Sequence, residues 1–432
     1  MSLKNRFRLL TLTITLGWNC WFAIHSDAQG LGNSPYSSLG IGEFYGESFS
    51  DNSGMGQSGV SVGNGFQINN LNPALWVRNR FTTLDFGLIG QYKKIDSGKN
   101  RQTNVGGNLA YVALSFPIST KWNVGVSLKP YSFVDFENEY ARIVPGTPYY
   151  AYYITSGKGG INKASLNNAV QIGKYLSLGI EATYFFGNIR RGSEVQIPLP
   201  FGEGGNYMVG LNERTTVSDF SFRGGAAVRI PIKKDNKLFL NVGGTYSLGS
   251  QLASTQTVSF ELTQGGSNVV APDTLDNNLG GSMTLPTQYQ AGLSLEWPYK
   301  LILSADFNHQ GWSGYKSFSN SNDGLRSINR INLGAEYLPN ISSLSYFNLV
   351  RYRIGFSTGP TPYVVNGTGI NDTNVSLGLT FPMGGRFSNY ISVAFLAGQR
   401  GTGGAGMIKE RYGRVILGLT LMDRWFQKQK LE

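Results

Sequence analysis

Along most of its length this chain changes chemistry at every second residue. Leu176, Leu178, Ile180, Ala182, Tyr184 and Phe186 alternate with Ser177, Gly179, Glu181 and Thr183. Tyr289, Ala291, Leu293 and Leu295 alternate with Gln290, Gly292, Ser294 and Glu296. The same rhythm returns around Ile331–Tyr337, Val375–Phe381 and Val415–Leu421, with Asn332, Gly334, Glu336, Ser376, Gly378, Arg414 and Gly418 on the second face. A period of two is the mark of β-strands whose faces meet different surroundings. The composition agrees. There are 57 Gly in 432 residues and only 15% charged residues, against about 7% and about 25% in ordinary domains. Disorder is excluded by 25 Phe and 23 Tyr, which bury too much apolar surface for an unfolded chain.

The period does not say which face meets water. Strand length and loop spacing do. Fourteen strands are expected, at 81–94, 104–117, 121–136, 159–172, 175–188, 213–231, 236–250, 284–297, 299–312, 326–338, 346–358, 370–382, 387–398 and 409–422. Most exceed the roughly 9–11 residues that a tilted strand needs to cross a bilayer. An even count lets the two ends of a sheet meet antiparallel. Short connections, such as Gly173-Lys174 and Trp297-Pro298-Tyr299, alternate with long ones at 137–158, 189–212, 251–283, 313–325, 359–369 and 399–408. Short turns on one side and long loops on the other are the outer-membrane pattern. The expected fold is therefore all-β, a transmembrane antiparallel β-barrel of about fourteen strands in the bacterial outer membrane, with an N-terminal plug in its lumen.

The first residues read as a secretory leader. Lys4, Arg6 and Arg8 are followed by a mostly apolar run from Leu9 to Ala23 and by Ser26-Asp27-Ala28. This is an n-region, an h-region and a small-residue cleavage site. The apolar run is shorter than the ~20 residues a membrane helix needs. The expected organisation is a signal peptide at 1–28, a plug at 29–80, a barrel at 81–422 and a periplasmic tail at 423–432.

Little in the chain speaks for catalysis. Cys20 and His25 both fall in the leader, leaving His309 as the one further histidine. Disulfide frameworks and Cys/His metal centres are excluded on those counts. The Gly54-x-Gly56-x-x-Gly59 and Gly401-x-Gly403-x-x-Gly406 spacings match a dinucleotide fingerprint without its strand-to-helix setting. Asn320–Gly324 lacks the closing Glu of a calcium loop. His309 is expected at the membrane rim beside Trp312. The formal charge of +11 is scattered, so nucleic acid is not an expected partner. No enzyme activity, catalytic residue, metal or cofactor is expected. Glu181, Arg223, Arg229, Glu296, Asp306 and Glu336 should lie on the inner face and pair with one another and with the plug.

Residues 29–80 do not alternate. They hold Gly54-Met55-Gly56-Gln57-Ser58-Gly59-Val60-Ser61-Val62 and then Asn72-Pro73-Ala74. These motifs resemble the hatch of the FadL-type outer-membrane transporters. The opening Asn33-Ser34-Pro35-Tyr36-Ser37-Ser38-Leu39-Gly40-Ile41-Gly42 and the ending Asp423-Arg424-Trp425-Phe426 are similar to those of Bacteroidota members of that group. The resemblance implies a fourteen-stranded barrel with an N-terminal plug that carries Asn72, Pro73 and Ala74. It implies passive outer-membrane transport of small hydrophobic, fatty-acid-like molecules with release sideways into the membrane lipid. On its own, Asn72-Pro73 reads as an ordinary turn: proline pushes Asn72 out of the helical region and the amide side chain bonds nearby backbone. Pro130 interrupts the third strand, and proline removes a ladder donor. In the light of the resemblance it marks a lateral opening; alternatively it ends the strand at the aqueous rim. Ile143, Val144, Tyr149 and Tyr150 on one long loop, and Ile197, Leu199 and Phe201 on another, form an expected outer-loop groove for a small hydrophobic ligand, or else pack loop on loop. The alternative function is a non-transporting FadL-like barrel that serves type IX secretion, or another outer-membrane protein, as a partner subunit.

Overall fold

The computed structural model describes residues 30–98, 100–198, 207–232, 237–264, 267–270, 273–384, 389–403 and 407–423. The expected signal peptide, Leu199, Phe201 and the tail beyond Asp423 lie outside these residues. The described strands are β1 (Glu43–Phe44), β2 (Thr82–Asp96), β3 (Arg101–Ser119), β4 (Trp122–Ile143), β5 (Tyr150–Ile172), β6 (Leu176–Ile197), β7 (Tyr207–Pro231), β8 (Phe239–Ser247) and β9 (Ser250–Gln264). They continue with β10 (Ser267–Asn268), β11 (Asp273–Leu285), β12 (Gln288–Trp297), β13 (Leu301–Gln310), β14 (Ile328–Tyr337), β15 (Arg351–Val365), β16 (Thr368–Met383), β17 (Asn389–Arg400) and β18 (Lys409–Asp423).

Fourteen of these, β2–β8 and β12–β18, form a closed antiparallel barrel. Each pairs with its sequence neighbour, β8 pairs with β12, and β18 returns to β2 from Thr82↔Asp423 to Asp96↔Lys409. The alternation resolves as a membrane barrel requires. Leu84, Leu88, Leu166, Ile180, Leu293, Leu333, Ile354, Leu377 and Leu417 are exposed on the outer face, while Asn167, Glu181, Arg223, Asn241, Ser294, Asn332 and Ser376 are buried inside. Trp122, Tyr175 and Tyr299 are exposed beside the short turns, and Phe220 and Tyr246 toward the opposite end. Aromatic residues favour both membrane interfaces for their amphipathic rings.

The outer half departs from the expected loops. Residues 137–158 and 189–212 largely continue β4, β5, β6 and β7 as hairpins. Most of 251–283 is a further hairpin of β9 and β11, and β9 pairs with the outer half of β7 from Val217↔Ser254 to Tyr207↔Gln264. The alternation weakens there because both faces meet water: Asp273 to Ser282 are exposed without a break. Backbone pairing, not a buried face, holds these extensions.

The non-alternating N-terminal segment is wrapped by the inner wall. It contains a helix, Ser50–Gly54, and a 3-10 turn, Pro73–Arg78, both contacting barrel strands. Room for it comes from glycine. Gly179, Gly225, Gly243, Gly334, Gly355 and Gly418, on six strands, face the backbone or side chains of this segment so closely that a methyl group at any of them would overlap it.

Candidate functional site

Three carboxylates of the N-terminal segment tie it to the wall. Glu43 meets Lys93 of β2 at 2.8 Å, Arg400 of β17 at 3.0 Å and Arg414 of β18 at 2.8 Å, and all four side chains are buried. Glu47 pairs with Lys163 of β5, and Arg223 stands 3.8 Å away. Asp51 pairs with Arg353 of β15 at 2.8 Å and accepts from Thr380 and Ser392. The wall answers in the opposite sense: Asp306 of β13 accepts the backbone N–H groups of Gly59 at 2.6 Å and Val60 at 2.8 Å, and Glu410 of β18 accepts from the Ser34 hydroxyl at 2.6 Å. The acids and bases expected on the inner face do pair. Glu181 meets Arg223, Glu296 meets Arg229 at 2.8 Å and Glu336 meets Arg353 at 2.7 Å.

Burial by itself raises the Glu43 carboxyl, but Arg400, Lys93 and Arg414 outweigh it and hold the group well below the usual carboxylate range. Glu47 is depressed in the same way: burial raises it, and Lys163, Lys129 and Arg223 more than reverse this. A depressed folded-state pKa contributes stability that is present above the unfolded value of about 4.3 and is lost as pH falls through the folded value. The segment should therefore stay seated through pH 5 and through the unfolded value of about 4.3, loosening only well below it. Protease access to residues 43–60 across a pH series measures this; release above the unfolded value would contradict it.

Asn72 is fully buried and extended, with φ −138° and ψ 117°. Its side chain accepts from the Ala74 N–H at 3.0 Å and donates to the Val60 carbonyl at 2.9 Å and the Ala226 carbonyl of β7 at 3.0 Å. Pro73 opens the 3-10 turn, where its missing N–H costs nothing. The three-residue motif thus joins two stretches of the segment to the wall. Asn72→Ala strands two buried carbonyls and a cap, and should cost about 2–4 kcal/mol. A lowered urea midpoint for the folded protein in detergent would register it.

Pro130 lies at a break in the barrel wall. The β3–β4 ladder runs from Ser119↔Trp122 to Val112↔Leu128 and stops. Beyond it, Arg101–Tyr111 of β3 keeps only β2, and the β4–β5 register slips between Pro130 and Ser132. The N-terminal segment occupies the gap. β1 pairs with β4 as Glu43↔Phe133 and Phe44↔Ser132. Ser34 N–H donates to the Asp135 carbonyl at 2.9 Å, and Asn104 of β3 donates to the Asn33 carbonyl at 3.0 Å. Proline cannot donate to a neighbour on either side, which suits it to the end of a ladder.

Beside the break lies a cavity of about 130 Å³, lined among others by Phe44, Tyr131, Trp312, Tyr363, Gln290 and Arg330. Phe44 touches Trp312 with ring centroids 4.6 Å apart and Tyr131 at 5.6 Å. Trp312 is wholly buried. This corrects its expected place at the membrane rim: the turn after β13 folds it inward, while His309 stays on the outer face, stacked on Tyr289 at 4.7 Å. Ile143, Val144, Tyr149, Tyr150 and Ile197, the described residues of the expected outer groove, do not line this cavity. Ile143 and Tyr150 are exposed at the tip of the β4–β5 hairpin, whose turn is closed by the Val144 N–H bonding the Tyr149 carbonyl at 2.9 Å. Ile197 is exposed at the end of β6. The five cavity aromatics, Phe44, Tyr45, Tyr131, Trp312 and Tyr363, come from distant stretches, and the only local signal is Tyr131, next to Pro130.

A closed fourteen-stranded barrel with an apolar belt, a polar inner wall and an occupied lumen defines a bacterial outer-membrane β-barrel protein. Solved structures share the fold over nearly the whole chain. The CymD monoaromatic hydrocarbon channel gives a TM-score of 0.58 at 14% identity, covering 90% of this chain and 100% of its own. The Pseudomonas putida toluene transporter TodX gives 0.58 at 14%, covering 89% and 100%. A Pseudomonas aeruginosa FadL homologue gives 0.57 at 13%, covering 88% and 99%. Among curated proteins none matches the chain in sequence. The family model described as BamG matches residues 11–432, and the chain belongs to the BamG family.

Proposed function

We propose that this barrel carries small hydrophobic molecules across the outer membrane by diffusion, without enzymatic chemistry, and releases them sideways through the break at Pro130. The observation that supports this reading is the cavity of about 130 Å³ beside that break, with an aromatic side at Phe44, Tyr131, Trp312 and Tyr363 facing a polar side that includes Gln290, Arg330 and Arg400. Its size is close to that of an apolar cavity of about 150 Å³ that admits benzene. The N-terminal segment would act as the plug, with Asn72-Pro73-Ala74 as its hinge to the wall. The similar structures named as toluene and monoaromatic hydrocarbon channels agree in kind, and a long-chain fatty acid would need the plug to shift.

The test is uptake of radiolabelled toluene by cells that carry the barrel, compared with Pro130→Val and Trp312→Ala. Pro130→Val restores a ladder donor and should lower uptake several-fold; Trp312→Ala should alter selectivity among ligand sizes. Unchanged uptake in both, with the barrel shown to be folded, would defeat the reading. A partner-subunit role, in type IX secretion or with another outer-membrane protein, is favoured by one feature, the exposed β9–β11 hairpin, whose polar edge strand can pair with another chain. A stoichiometric partner lost on deletion of 254–282 would decide for it.

A further inference from the structure

The outer face of the barrel carries a row of cations that the transport reading does not use. In the β5–β6 register Lys158 lies directly opposite Arg190, and in the β6–β7 register Arg190 lies directly opposite Arg214. All three are exposed. Like charges placed across neighbouring strands repel one another. Among the described residues none of the three makes an ion pair. Acidic residues on the surrounding strands are Asp135, Glu137, Glu139, Glu194, Glu213, Asp219 and Glu261; Asp135 lies directly opposite Lys158 in the β4–β5 register and is its nearest counter-charge, without forming an ion pair. A second outward pair, Lys94 opposite Arg411, sits on β2 and β18 on the other side of the break. At the matching outer-face positions of β13–β17 stand His309, Asn329, Thr358, Thr373 and Gln399, without a Lys or Arg. The cations are thus confined to the part of the wall that flanks the gap.

Their height is set by the strands that carry them. On β6 the apolar outward residues run from Leu176 to Phe186, ten residues at about 3.3 Å each. With a barrel strand's tilt, that length matches an apolar band about 25 Å tall. Tyr184 and Phe220 then touch at 4.9 Å as part of the outer aromatic girdle. Asn188 follows, and then Arg190, which falls where lipid headgroups begin. Between the row and the break the surface is hollowed. A groove of about 940 Å³ runs over Gly160 and Gly187, walled by Pro130 and Phe133 at one end and Arg214 and Glu261 at the other. Both glycines leave bare backbone, where a Cβ would strike the neighbouring strand.

We propose that Lys158, Arg190 and Arg214 bind the phosphate headgroup of an anionic lipid in the outer leaflet, with its acyl chains lying against Tyr184, Phe186, Phe220 and Phe222. The occupant follows from position: three outward-facing cations just above the apolar belt, with Asp135 opposite Lys158 as the one acid across a ladder from them, carry a net positive charge that meets lipid phosphate before anything else. Such a lipid would stand against the wall beside the gap.

The test is native mass spectrometry of the purified full-length barrel titrated in detergent with phosphatidylglycerol and, separately, phosphatidylcholine. The wild type should retain phosphatidylglycerol preferentially. K158Q/R190Q/R214Q should bind it roughly a hundredfold more weakly, at about one surface cation's attraction per substitution, while the charge-preserving K158R/R190K/R214K retains it. Equal retention by the wild type and the glutamine variant overturns the proposal. So does full displacement by millimolar inorganic phosphate, which would mark a site for the free anion. If the triple variant fails to fold, judged by heat-modifiable migration, the three single glutamine variants carry the test; each should weaken binding by roughly fivefold, and three unchanged singles overturn the proposal.

Discussion

Replacing Gly179 by valine should yield a folded barrel that cannot seat its N-terminal segment. A side chain there overlaps the backbone of Pro73 and Ala74, which a flexible neighbour cannot relieve by moving aside. Overpacking typically costs about 1–3 kcal/mol, and more where the obstacle is main chain. Outward-facing residues of β6 are untouched, so insertion into the membrane should survive. Planar-bilayer recordings should show a conducting pore where the wild type is closed, with faster cleavage of residues 43–80 by added protease. A closed pore with a protected segment would show that the wall yields after all.

Glu43→Ala should have a comparable effect by charge. It leaves Lys93, Arg400 and Arg414 buried near one another, with Glu410 and Asp372 as the remaining acids nearby: Glu410 lies 3.4 Å from Arg400 and 3.9 Å from Lys93, and Asp372 lies 3.9 Å from Arg400. Removing one member of a buried ion cluster commonly costs about 3–5 kcal/mol, because the partners stay desolvated. The unfolding midpoint should fall accordingly, and Glu43→Ala combined with Arg414→Gln should recover part of the loss. A double variant no better than the single would mean that the cluster is held by packing rather than by charge.

The sequence made some of this legible and hid the rest for physical reasons. Each of the fourteen barrel strands was visible because a strand between lipid and a polar lumen must alternate. The outer hairpins were not, because both faces of Asp273–Ser282 meet water and no face needs apolar residues. Gly179, Gly292, Gly334, Gly378 and Gly418 stand out on the polar face of their strands, yet nothing local says that Gly179, Gly334 and Gly418 make room for the N-terminal segment. Tyr149 and Tyr150 at the tip of the β4–β5 hairpin are conspicuous in sequence and stand apart from the cavity. The aromatics that line it, Phe44, Tyr45, Tyr131, Trp312 and Tyr363, are separated by up to some three hundred positions and share no period.

The placing of Glu43 also bears on how the protein is made. Its carboxylate reaches the first barrel strand through Lys93 and the last two through Arg400 and Arg414. A residue near the start of the chain therefore finds its full set of counter-ions only once the final strand has docked against the first. Until then the latch is incomplete and the wall beside β4 lacks its filler. A chain arrested before β18 would hold both faults together, so quality control that detects an unsealed seam would also detect an unfinished cylinder.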